Sequence, residues 1–305
     1  MNPFILSTIL GIIEGLTEFL PVSSTAHLRI AEALMHLPLN SAVCPAGDMA
    51  CQQSVSYWEM YTIVIQVGAI LALCLLFLHR IAGFFRTFPH GEEGNSAWWN
   101  HPVTMTFVAF ACTSAPALLL RKWSEKNLGS LAAMAWALVI GGVVMWAVDA
   151  WADRREPGTT HVEQMNILQA IWIGLIQTLS AIFPGTSRSM ATIAAGQLAD
   201  LDRPTALEFS FLLSIPTMLA ATGWDLVKEV HPRLHGHHAT AAHVAMSPEL
   251  WGVLLLGTAV SFIVALGVVE WFLMWVRRHG FVMFAVWRIL LGAWLLIWGA
   301  KYMGG

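Results

Sequence analysis

The sequence predicts an all-α polytopic membrane protein: two inverted repeats with re-entrant helix hairpins around a central site. Three observations predict it. Of 305 residues, 57% are hydrophobic and only 11% charged. A soluble domain carries about 25% charged residues, so this chain has too little polar surface to cover a water-soluble globule. Six apolar runs, at 57–78, 103–120, 129–151, 206–224, 250–276 and 281–300, reach the roughly 17–25 residues that a bilayer span needs. A segment near the start also recurs near the middle with its proline and polar positions in phase. The mean hydropathy of +0.63 and fifteen tryptophans, a residue that collects at membrane–water interfaces, fit the same solvent.

Taken in order, the first apolar stretch, 4–20, is short and stops at Pro21, after which come Ser23, Ser24 and Thr25. The stretch 167–183 stops in the same way at Pro184, before Thr186, Ser187 and Ser189. Both are too short and broken for simple spans. A hairpin of half-helices that enters and leaves on one side fits them better, since such backbone is tolerated where it is buried in protein or lines a wet cavity. Polar connectors lie at 38–56, 86–101, 121–128, 152–165 and 228–248. Lys and Arg occur on both sides of the spans, so the positive-inside rule gives no orientation. The expected organisation is one integral membrane domain over 1–305, with repeat one at about 1–150 and repeat two at about 165–305.

The N-terminus lacks a basic n-region and a small-residue cleavage site and reads as a retained segment rather than a cleaved signal. Cys44 and Cys51 share one polar loop and would pair if it faced an oxidising compartment, whereas Cys74 and Cys112 lie in apolar runs and read as packing residues. A net charge of −3 with no basic patch argues against nucleic acid as a partner.

The repeat is seen by setting "GIIEGLTEFLPVSSTAH" (11–27) over "GLIQTLSAIFPGTSRSM" (174–190). Pro21 then falls on Pro184, 163 positions later, Glu14 on Gln177, Ser23 on Thr186 and Ser24 on Ser187. A looser alignment places Glu59 on Glu208 at a shift of 149, the first half carrying the longer cysteine loop. Paired interrupted segments in two halves point to a site at the repeat interface.

Glu14 and Glu18 are four residues apart and share one helix face. A carboxylate at the bilayer centre costs about 2.5–3.5 kcal/mol, so the pair must face a polar interior. Two adjacent carboxylates can hold a divalent cation, Mg²⁺ or Ca²⁺, through oxygen ligands, or one of them can handle protons. Ser23 or Ser24 can cap the helix that restarts after Pro21. Ser24 and His27, three apart, put a nucleophile beside a base. Either could attack: Ser24 with His27 as base or proton carrier, or His27 itself with Ser24 donating a hydrogen bond. In the second motif Gly185 permits a tight turn, Thr186, Ser187 and Ser189 are hydroxyl donors, and a helix start offers N–H groups to an anion. Arg188 needs an anionic partner; its planar fork suits phosphate, and an ion pair with Glu14 or Glu18 is the structural alternative. Acids, hydroxyls and a histidine from one half with an arginine and an oxyanion cradle from the other describe phosphoryl chemistry on a membrane-borne substrate.

At these residues, "EGLTEFLPVSSTAHL" and "PGTSRSMAT", the chain resembles the undecaprenyl-pyrophosphate phosphatase family associated with bacitracin resistance. "VIQVGAILA" (64–72), "EFSFLLSIP" (208–216) and "RRHGFVMFAVWRILLG" (277–292) are similar to its members as well. The resemblance runs over nearly the whole chain. It implies hydrolysis of undecaprenyl diphosphate to undecaprenyl phosphate and inorganic phosphate, a divalent-cation requirement, and two inverted repeats with re-entrant hairpins. It also implies a bacterial inner-membrane location with the site opening to the periplasmic face, and a homodimer is a further expectation. By motif position, Glu14 and Glu18 are the acidic pair, Ser24 and His27 lie at the reaction centre, and Arg188 with Ser187 holds phosphate; Ser23, Thr25, Gly185, Thr186 and Ser189 complete the substrate contacts. Ala26 and Met190 stand where the family motifs usually have glycine. The histidine-rich loop at 231–243 could bind a transition metal, and a solvated loop is the plainer reading. The rival function is a transporter or flippase of the same lipid phosphate, since broken helices meeting at the midplane are also a transporter plan.

Overall fold

The computed structural model describes residues 2–37, 44, 48–90, 98–128, 130–230 and 247–303; the histidine-rich loop and most of the cysteine loop lie outside them. The described residues form eleven α-helices and no strand longer than an isolated bridge between Thr159 and Leu201. The first pair is α1 (Pro3–Thr17) and α2 (Ser24–Leu34), followed by α3 (Met49–Leu76), α4 (Leu78–Thr87), α5 (Pro102–Leu128) and α6 (Leu131–Ala152). The second pair is α7 (Ile167–Ile182) and α8 (Arg188–Leu198), followed by α9 (Arg203–Val230), α10 (Pro248–Val276) and α11 (Val282–Met303).

Among the described residues six helices are long and apolar enough to cross a membrane, within α3, α5, α6, α9, α10 and α11, while α1 and α7 are apolar but shorter. The chain is a multi-pass membrane protein. Its outer surface fits that solvent: Leu119, Leu168, Ile263 and Ile297 are each more than 60% exposed. Helix α3 starts at Met49, earlier than the hydropathy of 57–78 alone predicts, because Asp48 caps it by accepting from the Cys51 N–H and Cys44 is disulfide-bonded to Cys51. Pro116 and Pro216 stand inside α5 and α9, an interruption that membrane helices tolerate when neighbours re-satisfy the freed backbone.

The packing exchanges partners between the halves. Helix α1 lies along α10, α7 lies along α5, and α6 pairs with α11. Close approach is bought with small residues. A Cβ on Gly11 would stand 2.6 Å from the Gly257 carbonyl oxygen, and one on Gly15 would stand 2.7 Å from that of Ser261. Helix α9 runs antiparallel to α3: Glu208 near its start accepts from Arg80 just beyond the end of α3, and Thr222 donates to Gln66 one-third of the way back along α3. The bundle therefore has two distinguishable ends. One carries the start of α3 with its disulfide. The other carries the ends of α3, α6, α8 and α10 and the start of α9.

Candidate active site

Helix α7 stops two residues before Pro184 and α1 stops at Thr17, four residues before Pro21, and each successor restarts on a serine at positive φ: Ser23 at φ 74° and Ser187 at φ 66°. Non-glycine residues are uncommon there, and the two caps stand 164 positions apart, not 163. From proline to cap the second break is one residue longer, the added residue being Gly185 at φ 93°, where a Cβ would stand 2.7 Å from the Met134 carbonyl. Ser187 is thus the counterpart of Ser23, and Ser24 is the counterpart of Arg188. The register read from the prolines slips by one residue after the break, because the backbone conformation and not the proline fixes the new helix.

This places Ser24 and Arg188 each in the first turn of its helix, and Glu18 between them. Ser24 Oγ donates to Glu18 Oε2 at 2.6 Å and Arg188 Nη2 donates to Glu18 Oε1 at 3.2 Å. Glu18 and Arg188 are both largely buried. Arg188 Nη1 is buried with no partner, a cationic donor left over for an incoming oxyanion. The three groups face a cavity of about 210 Å³, also lined by Ser23, Thr25, Ser187, Gly185, Gln66, Ser180 and Thr217.

Other residues of the two motifs are placed differently. Glu14 is buried one turn behind Glu18; it does not line the cavity. Its counterpart Gln177 is likewise buried and donates to Thr113 and Thr217. His27 also stands off the cavity. Its Nδ1 is 2.8 Å from the Ser23 carbonyl oxygen, and its Nε2 accepts from the indole N–H of Trp287 at 2.9 Å, so both ring nitrogens are engaged and neither meets Ser24. Although residues 24–27 are helical as the spacing requires, the hydroxyl finds the carboxylate instead. Ser189 and Thr186 serve the scaffold. Ser189 Oγ donates to the Leu20 carbonyl at 3.0 Å, tying one break to the other, and the Thr186 carbonyl accepts from Arg288.

Arg288 was not singled out from the sequence. It is fully buried in α11 and donates to the carbonyls of Pro21 (3.3 Å), Gly185 (3.1 Å), Thr186 (2.9 Å) and Ala137 (3.2 Å). One guanidinium thereby clamps both breaks. The signal was available: an arginine inside the apolar run 281–300 meets the same cost in lipid that singled out Arg188. Met190, where a glycine was expected, is buried against Gly141 beside this guanidinium.

No group of three or more His, Cys, Asp or Glu is assembled for a metal among the described residues. Glu14 and Glu18 offer two carboxylates, which suits a hard cation that completes its shell with waters and phosphate oxygens and does not make a cage of protein ligands.

A carboxylate–serine pair and a half-satisfied arginine, buried where two helix breaks meet, make this the candidate site of a multi-pass membrane protein. The sequence places the chain more closely. The model of the family described as "Bacitracin resistance protein BacA" matches residues 7–294, and this chain belongs to that family. Among its relatives, a protein of Koribacter versatilis named undecaprenyl-diphosphatase is 52% identical over 304 residues, covering 99% of this chain and 100% of the relative. Proteins of the same name are 36% identical in Caldanaerobacter subterraneus, covering 97% of this chain and 96% of the relative. In Thermus thermophilus the figure is 37%, covering 93% of each.

Proposed function

We propose that this chain hydrolyses undecaprenyl diphosphate to undecaprenyl phosphate and inorganic phosphate, returning the lipid carrier to the synthesis of peptidoglycan and other envelope polymers. The relatives' name supplies the substrate. The observation that carries the chemistry is the Glu18–Ser24 hydrogen bond beside the unpartnered Nη1 of Arg188. Binding a lipid phosphate for transport needs donors and a cation but no hydroxyl held on a carboxylate, so the flippase reading is not favoured.

In this reading Ser24 Oγ attacks the terminal phosphorus and its proton passes to Glu18 Oε2. The bond from that phosphorus to the bridging oxygen breaks, and the electron pair leaves with undecaprenyl phosphate. Water then attacks the phosphoserine, releasing inorganic phosphate and restoring the Ser24 hydroxyl. Arg188 neutralises charge on the equatorial oxygens, and Ser187, Ser23, Thr25 and the backbone around Gly185 bound the phosphoryl group. Glu18 replaces His27 as the base because His27 has no free nitrogen facing Ser24; His27 holds the Ser23 turn instead. A Mg²⁺ or Ca²⁺ ion held by Glu18 and Glu14 would supply further charge neutralisation at the phosphate oxygens.

The inner membrane, with the site open to the periplasm, is supported by two placements. The disulfide-bonded Cys44 and Cys51 mark the bundle end where α3 begins, and disulfides persist in oxidising compartments. The cavity is bounded by Thr217, Met218 and Ala221 on the half of α9 that runs toward that same end. The deciding experiment is phosphate release from undecaprenyl diphosphate by the purified protein, with and without chelator, for wild type and Arg188→Ala. Release that depends on Arg188 is expected; none from wild type would sink the hydrolase reading.

A further inference from the structure

At the bundle end opposite the disulfide, a second cavity of about 390 Å³ opens where α6, α8 and α10 end and α9 begins. Its charged and polar lining is Arg155, Arg203, Arg277 and Arg278 with Asp153, Asp202 and Gln197. The acids nearby are already committed. Asp149 accepts from Arg203 Nε at 2.7 Å, Gln197 Nε2 at 3.0 Å and the Phe281 N–H at 2.9 Å. Asp153 takes Arg203 Nη1 at 2.8 Å, and Asp202 caps α9 through the Thr205 N–H. Arg155 lies over the Trp151 ring at 4.5 Å. Arg155, Arg277 and Arg278 thus have no acidic partner among the described residues.

The C-terminal dipole of α10 accounts for basic residues following Val276, but not for a cavity between four helices. Nor does it account for Gln197, which is 2% exposed and whose carbonyl oxygen is buried with no partner. A buried acceptor without a donor is unfavourable and points to something that supplies one. The cavity asks for a ligand that is anionic toward the arginines and carries an O–H toward Gln197.

We propose that this cavity binds the headgroup of an anionic glycerophospholipid. Its phosphodiester would sit on Arg277, Arg278 and Arg155, and a headgroup hydroxyl would donate to Gln197. Basic pockets between membrane helices bind such headgroups on the cytoplasmic side, where anionic lipid gives the surface a negative potential, and this end faces away from the disulfide. The inference does not depend on the reaction at Ser24.

The test is native mass spectrometry of the full chain released from nanodiscs of phosphatidylcholine doped with phosphatidylglycerol. Wild type is expected to retain one phosphatidylglycerol in preference to phosphatidylcholine. Retention should fall at least tenfold in Arg277→Gln/Arg278→Gln and stay unchanged in Arg86→Gln, a basic residue outside the cavity. Equal retention of the two lipids, or undiminished phosphatidylglycerol in the double variant, would overturn the proposal. An added arm offers inorganic phosphate and undecaprenyl phosphate. Displacement of phosphatidylglycerol by either one at equal concentration would assign the site to a terminal or free phosphate group and overturn the glycerophospholipid headgroup.

Discussion

Replacing Arg288 by lysine keeps the charge and removes the fork. In the native site Nη1 reaches the Pro21 carbonyl while Nη2 reaches those of Gly185, Thr186 and Ala137. A single ammonium cannot stand at both nitrogen positions, so at least one break loses its tie. Hydrogen bonds to a charged group are worth roughly 1.5–3 kcal/mol each, and losing one or two of them frees about 2–5 kcal/mol of local restraint on a turn that already holds Ser23 or Ser187 at positive φ. A shift of about 1 Å at the reacting groups is enough for a roughly 10²-fold loss. The kcat for phosphate release by Arg288→Lys should therefore fall about 10–100-fold, or roughly 1.4–2.7 kcal/mol at 1.36 kcal/mol per decade. Thermal unfolding in detergent should show a folded protein with a lowered midpoint. A folded Arg288→Lys protein with wild-type kcat would refute the clamp, because the breaks would then hold their geometry without it.

Glu18→Gln should lower kcat by about 10²–10⁴-fold, the usual range for a lost general base. His27→Gln should keep kcat within about tenfold of wild type, and a loss there as large as in Glu18→Gln would return the base to the histidine. Arg188→Lys, which gives up the fork, is expected to cost about 10²–10³-fold, the scale of one lost oxyanion donor, measured by phosphate release. Rapid quench with radiolabelled substrate should trap an acid-stable phosphoenzyme in wild type and none in Ser24→Ala, whereas an acid-labile adduct that survives in Ser24→Ala would make His27 the nucleophile. Gly15→Ala should destabilise the fold by about 1–3 kcal/mol through overpacking, since its Cβ would stand 2.7 Å from the Ser261 carbonyl and 2.8 Å from Val264 Cβ; an unchanged unfolding midpoint would contradict the close α1–α10 contact.

Much of the architecture was legible because lipid is an exacting solvent. Hydropathy located the six span-length helices of the described residues, and the cost of a charge in hydrocarbon singled out Glu14, Glu18 and Arg188. The prolines marked both breaks. The same reasoning reached Arg288 only within a stretch noted for its family likeness, although a buried arginine in a spanning helix carries the same signal as Arg188.

What the sequence determined by itself is the solvent, the span-length helices, the two interrupted segments and the family, because these depend on composition and local order along the chain; the short helix α4 (Leu78–Thr87) was not among them. The tertiary structure alone decided which polar groups meet. Spacing put Ser24 and His27 on one helix face, but hydrogen bonds follow distance. The Ser23 turn and Trp287 take the two nitrogens of His27, leaving the Ser24 hydroxyl to Glu18 across the break. The one-residue slip between the motifs was equally invisible, since a glycine's positive φ, and not a residue count, sets where the second helix begins.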